Sequence, residues 1–173
     1  ILNVMYLIFI ISLFIGFYLA IIGGWPIIII GLSSILFAII YTGGPFPLGY
    51  NGLGDIAVFI FFGVVATFGT LYLQYQSINP SVNLFNFMPK IILASCAIGC
   101  LNTAILVVNN IRDYESDRKS NKKTLVVMFG QRFGCFQYSA LLLVSLICFS
   151  VLGILYQNYW LVATLGFSLF IST

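Results

Sequence analysis

The segment KIILASCAIGCLNTAILVVNNIRDYESDRKSNKK, residues 90–123, changes abruptly from an apolar run to a cluster of charged side chains. The chain has seven basic and four acidic residues, and eight of them lie between Arg112 and Lys123. The apolar part is long enough for an α-helix that crosses the roughly 30 Å hydrocarbon core of a bilayer. Ionisable groups at a membrane are costly and are often functional. The segment therefore predicts a membrane helix that ends at a functional site.

The composition of the whole chain is typical of a membrane protein. Of its 173 residues, 61% are hydrophobic and 6% are charged, and there is no histidine. A soluble domain usually has about 25% charged residues. Six apolar segments approach or reach the length of a membrane span, namely 2–23, 25–41, 55–74, 89–111, 134–156 and 158 onward. We therefore predict an all-α fold, a polytopic bundle of about six transmembrane helices.

The two ends of the chain indicate that this bundle is part of a larger one. The sequence begins with Ile1 inside an apolar run and stops at Thr173 partway through the sixth segment. That segment has about 16 residues, whereas a membrane-spanning helix needs about 20. We interpret residues 1–173 as a single transmembrane domain that is incomplete at both ends.

The basic residues predict the orientation of the bundle. Six of the seven lie between Arg112 and Arg132, in the connection between the fourth and fifth apolar segments. An excess of Lys and Arg marks the cytoplasmic side of a membrane. Counting spans back from this 112–132 loop places the 42–54 loop on the same side. The two loops are therefore expected to converge on one face of the bundle.

Small residues predict close contacts between helices. Ser95, Gly99 and Thr103 recur every four residues on the fourth segment. A similar ridge on the first segment consists of Ser12, Gly16, Ala20 and Gly24. Small side chains at this spacing let helix backbones approach each other closely within a membrane.

The charged cluster contains candidate ligands for a metal ion. Asn109, Asp113 and Asp117 share one helix face if the fourth helix continues past Asn110, whereas Glu115 points to another face. Oxygen ligands of this kind suit Mg²⁺, which binds one or two carboxylates together with waters and substrate phosphates. The basic side chains that could bind phosphate are Arg112, Lys119, Lys122 and Lys123. The alternative is a solvated loop whose charges only set the membrane orientation.

Several motifs resemble those of one membrane-enzyme family. NNIRDYESD at 109–117, followed by KKTL at 122–125, resembles the second aspartate-rich motif of the UbiA-type intramembrane prenyltransferases. YTGGPFPLGY at 41–50 and GLGD at 52–55 are most similar to the branch that acts on 1,4-dihydroxy-2-naphthoate in menaquinone synthesis. The resemblance implies a nine-helix fold, in which the six segments would be the third to eighth helices. The first aspartate-rich motif of the family would precede Ile1.

The resemblance also implies an activity. A polyprenyl group would pass from a polyprenyl diphosphate to 1,4-dihydroxy-2-naphthoate, with decarboxylation, to give demethylmenaquinone. Asp113 and Asp117 would be the catalytic residues and would bind Mg²⁺ with Asn109. The diphosphate would be bound by Arg112, Lys119, Lys122 and Lys123. The acceptor would be contacted by Tyr41, Tyr50 and Asn51.

The setting of this reaction follows from the same resemblance. The partners are the two substrates and the lipid bilayer, and no nucleic acid is expected. The location implied is the inner (cytoplasmic) membrane of a bacterium, with several passes and a cytoplasmic 112–132 loop. Without the first aspartate-rich motif, residues 1–173 alone are expected to be inactive.

Two positions depart from the common pattern of the family, and a third has a separate structural interpretation. Asn121 stands where the family commonly has Gly, so the turn there would rely on the tolerance of Asn for positive φ. Met128 replaces an Arg that is frequent in relatives, which removes one possible phosphate contact. Asp55 follows Gly54 at the start of the third segment, where we interpret it as a helix N-cap rather than a site residue.

Other functions remain as alternatives. A UbiA-type enzyme could use another aromatic acceptor, such as 4-hydroxybenzoate or homogentisate. A transporter or a structural subunit of a membrane complex could also combine packed helices with a charged loop. A transporter would be expected to carry ionisable groups within its spans, and the segments 2–23, 25–41, 134–156 and 158 onward carry none.

Overall fold

The computed structural model describes residues 2–78 and 84–158, and in these ranges the ordered elements are helices without any strand. The α-helices are α1 (Leu2–Thr42), α2 (Gly54–Val58), α3 (Ala66–Ile78), α4 (Met88–Arg112), α5 (Tyr114–Lys119), α6 (Leu125–Phe129) and α7 (Gln131–Leu155). A π-helix, Phe59–Val65, joins α2 to α3, and short 3-10 helices cover Leu48–Tyr50 and Leu84–Phe87. The predicted all-α fold is confirmed.

Four rods in the described part of the chain are long and apolar enough to cross a membrane. They are α1, the continuous rod Gly54–Ser77, α4 and α7. The last three correspond to the predicted segments 55–74, 89–111 and 134–156. Apart from Asn158, the sixth predicted segment lies outside the described residues.

The first two predicted segments form the single element α1. Its 41 residues correspond to about 60 Å of helix, roughly twice the hydrocarbon thickness of a bilayer. Gly24 interrupts the helix, because its φ of 63° and ψ of −153° are not helical. Pro26 follows two residues later, near the start of the next helical stretch, where a missing N–H is tolerated. The boundary between the predicted segments 2–23 and 25–41 is therefore present in the structure, as a one-residue kink without a loop.

Helix α4 lies at the centre of the described bundle and packs mainly against α7 and the π-helix. Its buried residues are Ile91, Ser95, Ala97, Gly99, Cys100, Thr103, Ala104, Val107 and Asn110. Val107 of α4 and Val126 of α6 are completely buried, and the exposed fraction of Ser145 on α7 is 1%. The core therefore follows one side of α4 along its whole length.

Glycines bring α4 into backbone contact with the π-helix. A Cβ atom on Gly63 would lie 2.6 Å from the Cα of Gly99 and 2.7 Å from the carbonyl oxygen of Ser95. Ser95, Gly99 and Thr103 are all buried, so the predicted close approach on this helix is confirmed. The ridge on the first segment is different: a Cβ on Gly16 or Gly24 would meet nothing within 4 Å in the described residues.

Helices α6 and α7 pack against the last turns of α4. A Cβ on Gly134 would lie 2.8 Å from Cγ1 of Ile111 and 3.1 Å from Cγ2 of Val126. Gly130 separates α6 from α7 with a φ of 91°, a conformation that other residues rarely adopt. The chain thus turns back immediately after the charged cluster, and the cluster remains at the end of α4.

We predict that Gly63→Ala destabilises the protein, because the added methyl group would overlap backbone atoms that cannot rotate away. Overpacking of this kind costs about 1–3 kcal/mol. The measurement is thermal unfolding of the full-length protein in detergent. Gly31→Ala is the matched control, since a Cβ there would meet nothing within 4 Å and Ala favours a helix over Gly. Equal melting temperatures for the two variants would contradict the prediction.

Candidate functional site

The charged segment continues the helical path of α4 with one irregular residue. Asp113 lies between α4 and α5 with φ −90° and ψ 10°. Its N–H donates to the carbonyl oxygen of Asn109 at 2.9 Å, and the N–H of Asp117 donates to the carbonyl oxygen of Asp113 at 2.8 Å. The four-residue spacing assumed for the three candidate metal ligands is therefore kept in the structure.

A tight turn follows α5 and reverses the chain. Asn121 has a φ of 56°, so its predicted positive φ is confirmed. The N–H of Lys122 then donates to the carbonyl oxygen of Asp117 at 2.9 Å. Thr124 caps α6, because its hydroxyl oxygen accepts a hydrogen bond from the N–H of Val127 at 3.2 Å. These contacts bring the basic residues that follow the turn close to the aspartates that precede it.

Asp117 is the more enclosed of the two candidate catalytic carboxylates. It is buried, and both of its oxygens accept hydrogen bonds from the ammonium group of Lys122, at 3.2 and 3.1 Å. The two side chains form an ion pair that is partly shielded from solvent. A buried carboxylate needs such a partner, since an unpaired charge is expensive to bury.

Asp113 has a more open environment. The guanidinium of Arg112 binds it bidentately, with Nε at 2.8 Å from Oδ1 and Nη2 at 3.0 Å from Oδ2. Hydrogen bonding from Arg112 is the main cause of a lowered pKa for Asp113. The carboxylate of Asp113 therefore stays ionised at pH values where an ordinary aspartate begins to be protonated. A carboxylate must be ionised to bind a metal ion.

The remaining charged residues of the segment lie outside these pairs. Glu115, Arg118, Lys119 and Lys123 are exposed. Within the described ranges, the side-chain ion pairs are Arg112 with Asp113 and Lys122 with Asp117. Of the four cations predicted to bind diphosphate, two are therefore close to the aspartates, and Lys119 and Lys123 extend into solvent.

The 42–54 loop meets the charged segment, as the orientation argument predicted. The N–H of Lys123 donates to the carbonyl oxygen of Tyr50 at 2.9 Å. A Cβ on Gly52 would lie 3.3 Å from the sulfur of Met128 and 3.4 Å from the carbonyl oxygen of Lys123. Gly52 has a φ of 76°, so both the conformation and the space favour glycine there.

A small polar cavity lies where the two loops join the helix ends. Its volume is about 20 Å³, and it is lined by Tyr41, Gly49, Gly52, Gly54, Asp55, Leu106, Asn110, Lys122, Thr124 and Leu125. Lys122 connects this cavity to Asp117, so the cavity and the paired aspartate belong to one site. Asn110 and Thr124 were not among the predicted site residues, although they lie inside the motifs NNIRDYESD and KKTL.

The three predicted acceptor residues occupy different environments. Tyr41 lines the polar cavity. Asn51 uses its side-chain amide to donate to the carbonyl oxygen of Pro47 at 2.8 Å, which stabilises the loop itself. Tyr50 is 45% exposed. The structure thus places Tyr41 at the cavity and leaves Tyr50 and Asn51 outside its lining.

Our interpretation of Asp55 as a helix N-cap is wrong. The cap residue of α2 is Leu53, and Asp55 lies within the first turn. Its carboxylate is buried and accepts a hydrogen bond through Oδ2 from Nε2 of Gln137 on α7, at 3.2 Å. Asp55 binds Gln137 instead of capping α2, because α2 and α7 both pack against α4 and so lie close to each other. Chain spacing gives no signal for this contact.

The donor set at the end of α4 is chemically suited to Mg²⁺ but does not form a closed cage. Asn109, Asp113 and Asp117 offer hard oxygen atoms, and two carboxylates are enough when waters and phosphates complete the shell. No group of three or more acidic, His or Cys side chains that could hold a metal occurs in residues 2–78 and 84–158. The described residues therefore fit a metal that is shared with a phosphorylated ligand.

Comparisons with known proteins agree with these features. The family described as "UbiA prenyltransferase family" matches residues 2–173. The 1,4-dihydroxy-2-naphthoate octaprenyltransferase of Escherichia coli K12 is 41% identical over 127 residues, which are 73% of this chain and 38% of that protein. The Bacillus subtilis protein of the same name is 33% identical over 122 residues, 70% of this chain and 36% of that protein.

A relative with a different name matches to a similar extent. The 2-carboxy-1,4-naphthoquinone phytyltransferase of Synechocystis is 30% identical over 137 residues, which are 79% of this chain and 41% of that protein. The chain spans about two fifths of the length of the curated relatives it matches. No solved structure matches the chain. Because the family match covers nearly every residue, this helical membrane protein belongs to the UbiA prenyltransferase family.

Proposed function

We propose that the full-length protein transfers a polyprenyl group from a polyprenyl diphosphate to 1,4-dihydroxy-2-naphthoate, with decarboxylation and release of diphosphate, to give demethylmenaquinone in its reduced, quinol form. The observation that carries this proposal is the joining of the aspartate-rich segment to the 42–54 loop around one polar cavity. A diphosphate and an aromatic acceptor must lie side by side for prenyl transfer. The meeting of a phosphate-type site with a second loop supports that arrangement.

The names of the relatives support the proposed aromatic substrate more strongly than the proposed prenyl substrate. The Escherichia coli and Bacillus subtilis proteins are named for 1,4-dihydroxy-2-naphthoate. The Synechocystis protein is named for a carboxylated naphthoquinone, but it is called a phytyltransferase instead of an octaprenyltransferase. The naphthalene ring with its carboxyl group is thus shared, whereas the prenyl group differs. We therefore propose the naphthoate as the acceptor.

The residues at the end of α4 would bind the diphosphate. Asp113 and Asp117, with Asn109, are the residues that would hold Mg²⁺. When bound, the metal would neutralise charge on the departing diphosphate and so ease cleavage of the allylic C–O bond. Arg112 and Lys122, each within hydrogen-bond distance of one aspartate, would bind phosphate oxygens. Lys119 and Lys123 would add positive charge at the outer side of the site.

The proposed setting is the inner membrane of a bacterium, with the 112–132 loop in the cytoplasm. The concentration of basic residues in that loop supports this orientation. Residues 1–173 would be inactive alone, because the family resemblance implies a first aspartate-rich motif that acts together with Asp113 and Asp117 and that residues 1–173 do not contain.

We predict that Asp117→Asn and Asp113→Asn in the full-length protein each reduce kcat/KM by at least about 100-fold. Each change removes the negative charge of a proposed ligand and keeps the side-chain size, and single electrostatic contacts of this type contribute about 10²–10³ in rate. The measurement is prenyl transfer in purified membranes, with protein content determined by immunoblotting. Glu115→Gln makes the same chemical change at an exposed position and should keep its activity. Wild-type turnover by Asp117→Asn would refute the metal site.

A second prediction concerns the metal directly. Turnover of the full-length enzyme should fall to background in excess EDTA and return when Mg²⁺ is added, because the diphosphate would lose its counter-charge. The same titration should leave the melting temperature in detergent nearly unchanged, since two ion pairs neutralise the aspartates without metal. Full activity in EDTA would show that prenyl transfer here does not depend on a divalent ion.

A further inference from the structure

Asp55 is a buried carboxylate to which the proposed transfer assigns no role. It is 6% exposed, and its Oδ2 accepts a hydrogen bond from Gln137. Its Oδ1 has no hydrogen-bond partner among the residues that the structure describes, and the same holds for Oε1 of Gln137. A buried polar atom without a partner is unfavourable by about 1–3 kcal/mol, and more when the group is charged. Two neighbouring side chains thus each keep an acceptor atom for a hydrogen-bond donor.

The position of Asp55 indicates what kind of donor could reach it. Asp55 lines the polar cavity, whose 20 Å³ are enough for one water molecule or one hydroxyl group. Tyr41 lines both this cavity and a much larger groove of about 530 Å³ between α1 and the α2–π-helix rod. The groove is mainly apolar and aromatic, and it includes Phe37, Ala57 and Phe61. A ring that lies in the groove could therefore place one hydroxyl group in the cavity.

The cavity is also in the right place relative to the leaving group. Lys122 lines it and forms an ion pair with Asp117, where the diphosphate would bind. The carbon that reacts is bonded to that diphosphate, so the acceptor ring must lie close to the same residues. A group held by Asp55 satisfies this requirement, because Asp55 and Lys122 are walls of one small cavity.

We propose that Asp55, held by Gln137, accepts a hydrogen bond from a ring hydroxyl of the aromatic acceptor, whose ring lies in the apolar groove. This inference rests on the proposed function. The acceptor has the required chemistry, since its bicyclic ring is apolar and both of its hydroxyl groups are donors. Asp55 would be an acceptor-binding residue, and Gln137 would be a positioning residue that fixes the orientation of the carboxylate.

The test uses two deoxy analogues that fit wherever the acceptor fits. 1-Hydroxy-2-naphthoate lacks the 4-hydroxyl group, and 4-hydroxy-2-naphthoate lacks the 1-hydroxyl group. We would measure the Kd of the acceptor, under anaerobic conditions, and of both analogues for the full-length wild-type protein in detergent. One analogue should bind about 10- to 100-fold more weakly than the acceptor, the range expected for a lost hydrogen bond to a charged group.

The variant Asp55→Asn should reduce this discrimination. It keeps the side-chain shape but replaces the charged carboxylate with a neutral amide, whose oxygen accepts a weaker hydrogen bond, so the Kd of the weaker analogue should move closer to that of 1,4-dihydroxy-2-naphthoate. In turnover, the KM for 1,4-dihydroxy-2-naphthoate should rise about 10-fold, whereas the KM for the prenyl diphosphate should change by less than about twofold. Glu115→Gln is the matched control, with the same change of carboxylate to amide at an exposed position.

Several results would overturn the inference. Equal binding of both analogues and the acceptor to the wild type would do so without any variant, even if Asp55→Asn failed to fold. Unchanged discrimination in Asp55→Asn would show that the unpaired oxygen binds only a buried water. In either case, wild-type turnover of 1,4-dihydroxy-2-naphthoate would leave the proposed function intact. Absence of both binding and turnover of this acceptor by the wild type would instead refute the proposed function and the inference with it.

Discussion

The backbone contact between Gly63 and Gly99 is the constraint on which the rest of this arrangement depends. With no Cβ atom at either position, the π-helix and α4 approach within van der Waals distance of their backbones. In a membrane, close packing of this kind replaces the hydrophobic drive that holds soluble helices together. It places the first turn of α2 beside the last turns of α4, and α7 packs on the same central helix. Residues from three distant parts of the sequence therefore meet at one end of the bundle.

The charges at that end are balanced within the segment that carries them. Lys122 returns to Asp117 because Asn121 adopts a positive φ, and Arg112 binds the neighbouring Asp113. Pairing matters at a membrane boundary, where an isolated charge is strongly disfavoured. The same pairs suit the proposed reaction, since a metal would bring positive charge to the carboxylates and a diphosphate would bring negative charge to the cations. Each of the four side chains would thus exchange its present partner for another group of opposite charge.

Asp55 and the 42–54 loop show where reasoning from the sequence is limited. A carboxylate after Gly54 at a helix start has the local signature of an N-cap, yet Leu53 occupies the cap position and Asp55 binds Gln137, 82 residues away. Asn51 was predicted to contact the acceptor, but its side-chain amide donates to the carbonyl oxygen of Pro47 within the loop. Polar side chains often have a local and a distant partner available. Which of the two hydrogen bonds forms depends on the packing of the helices, which a linear sequence does not display.

The sequence by itself determined the membrane class, the break at Gly24 and the position of the charged cluster at the end of α4. It also located three of the long helical segments to within about four residues at each end. Those features are local, because hydropathy, helical spacing and backbone preference act over a few residues to about 20. The family was also identifiable from its motifs. Only the tertiary structure decided that Lys122 links Asp117 to a cavity, that Tyr41 lines it while Tyr50 does not, and that Asp55 pairs with α7. These contacts join segments far apart in the chain, so they follow from how the helices pack and not from the order of the residues.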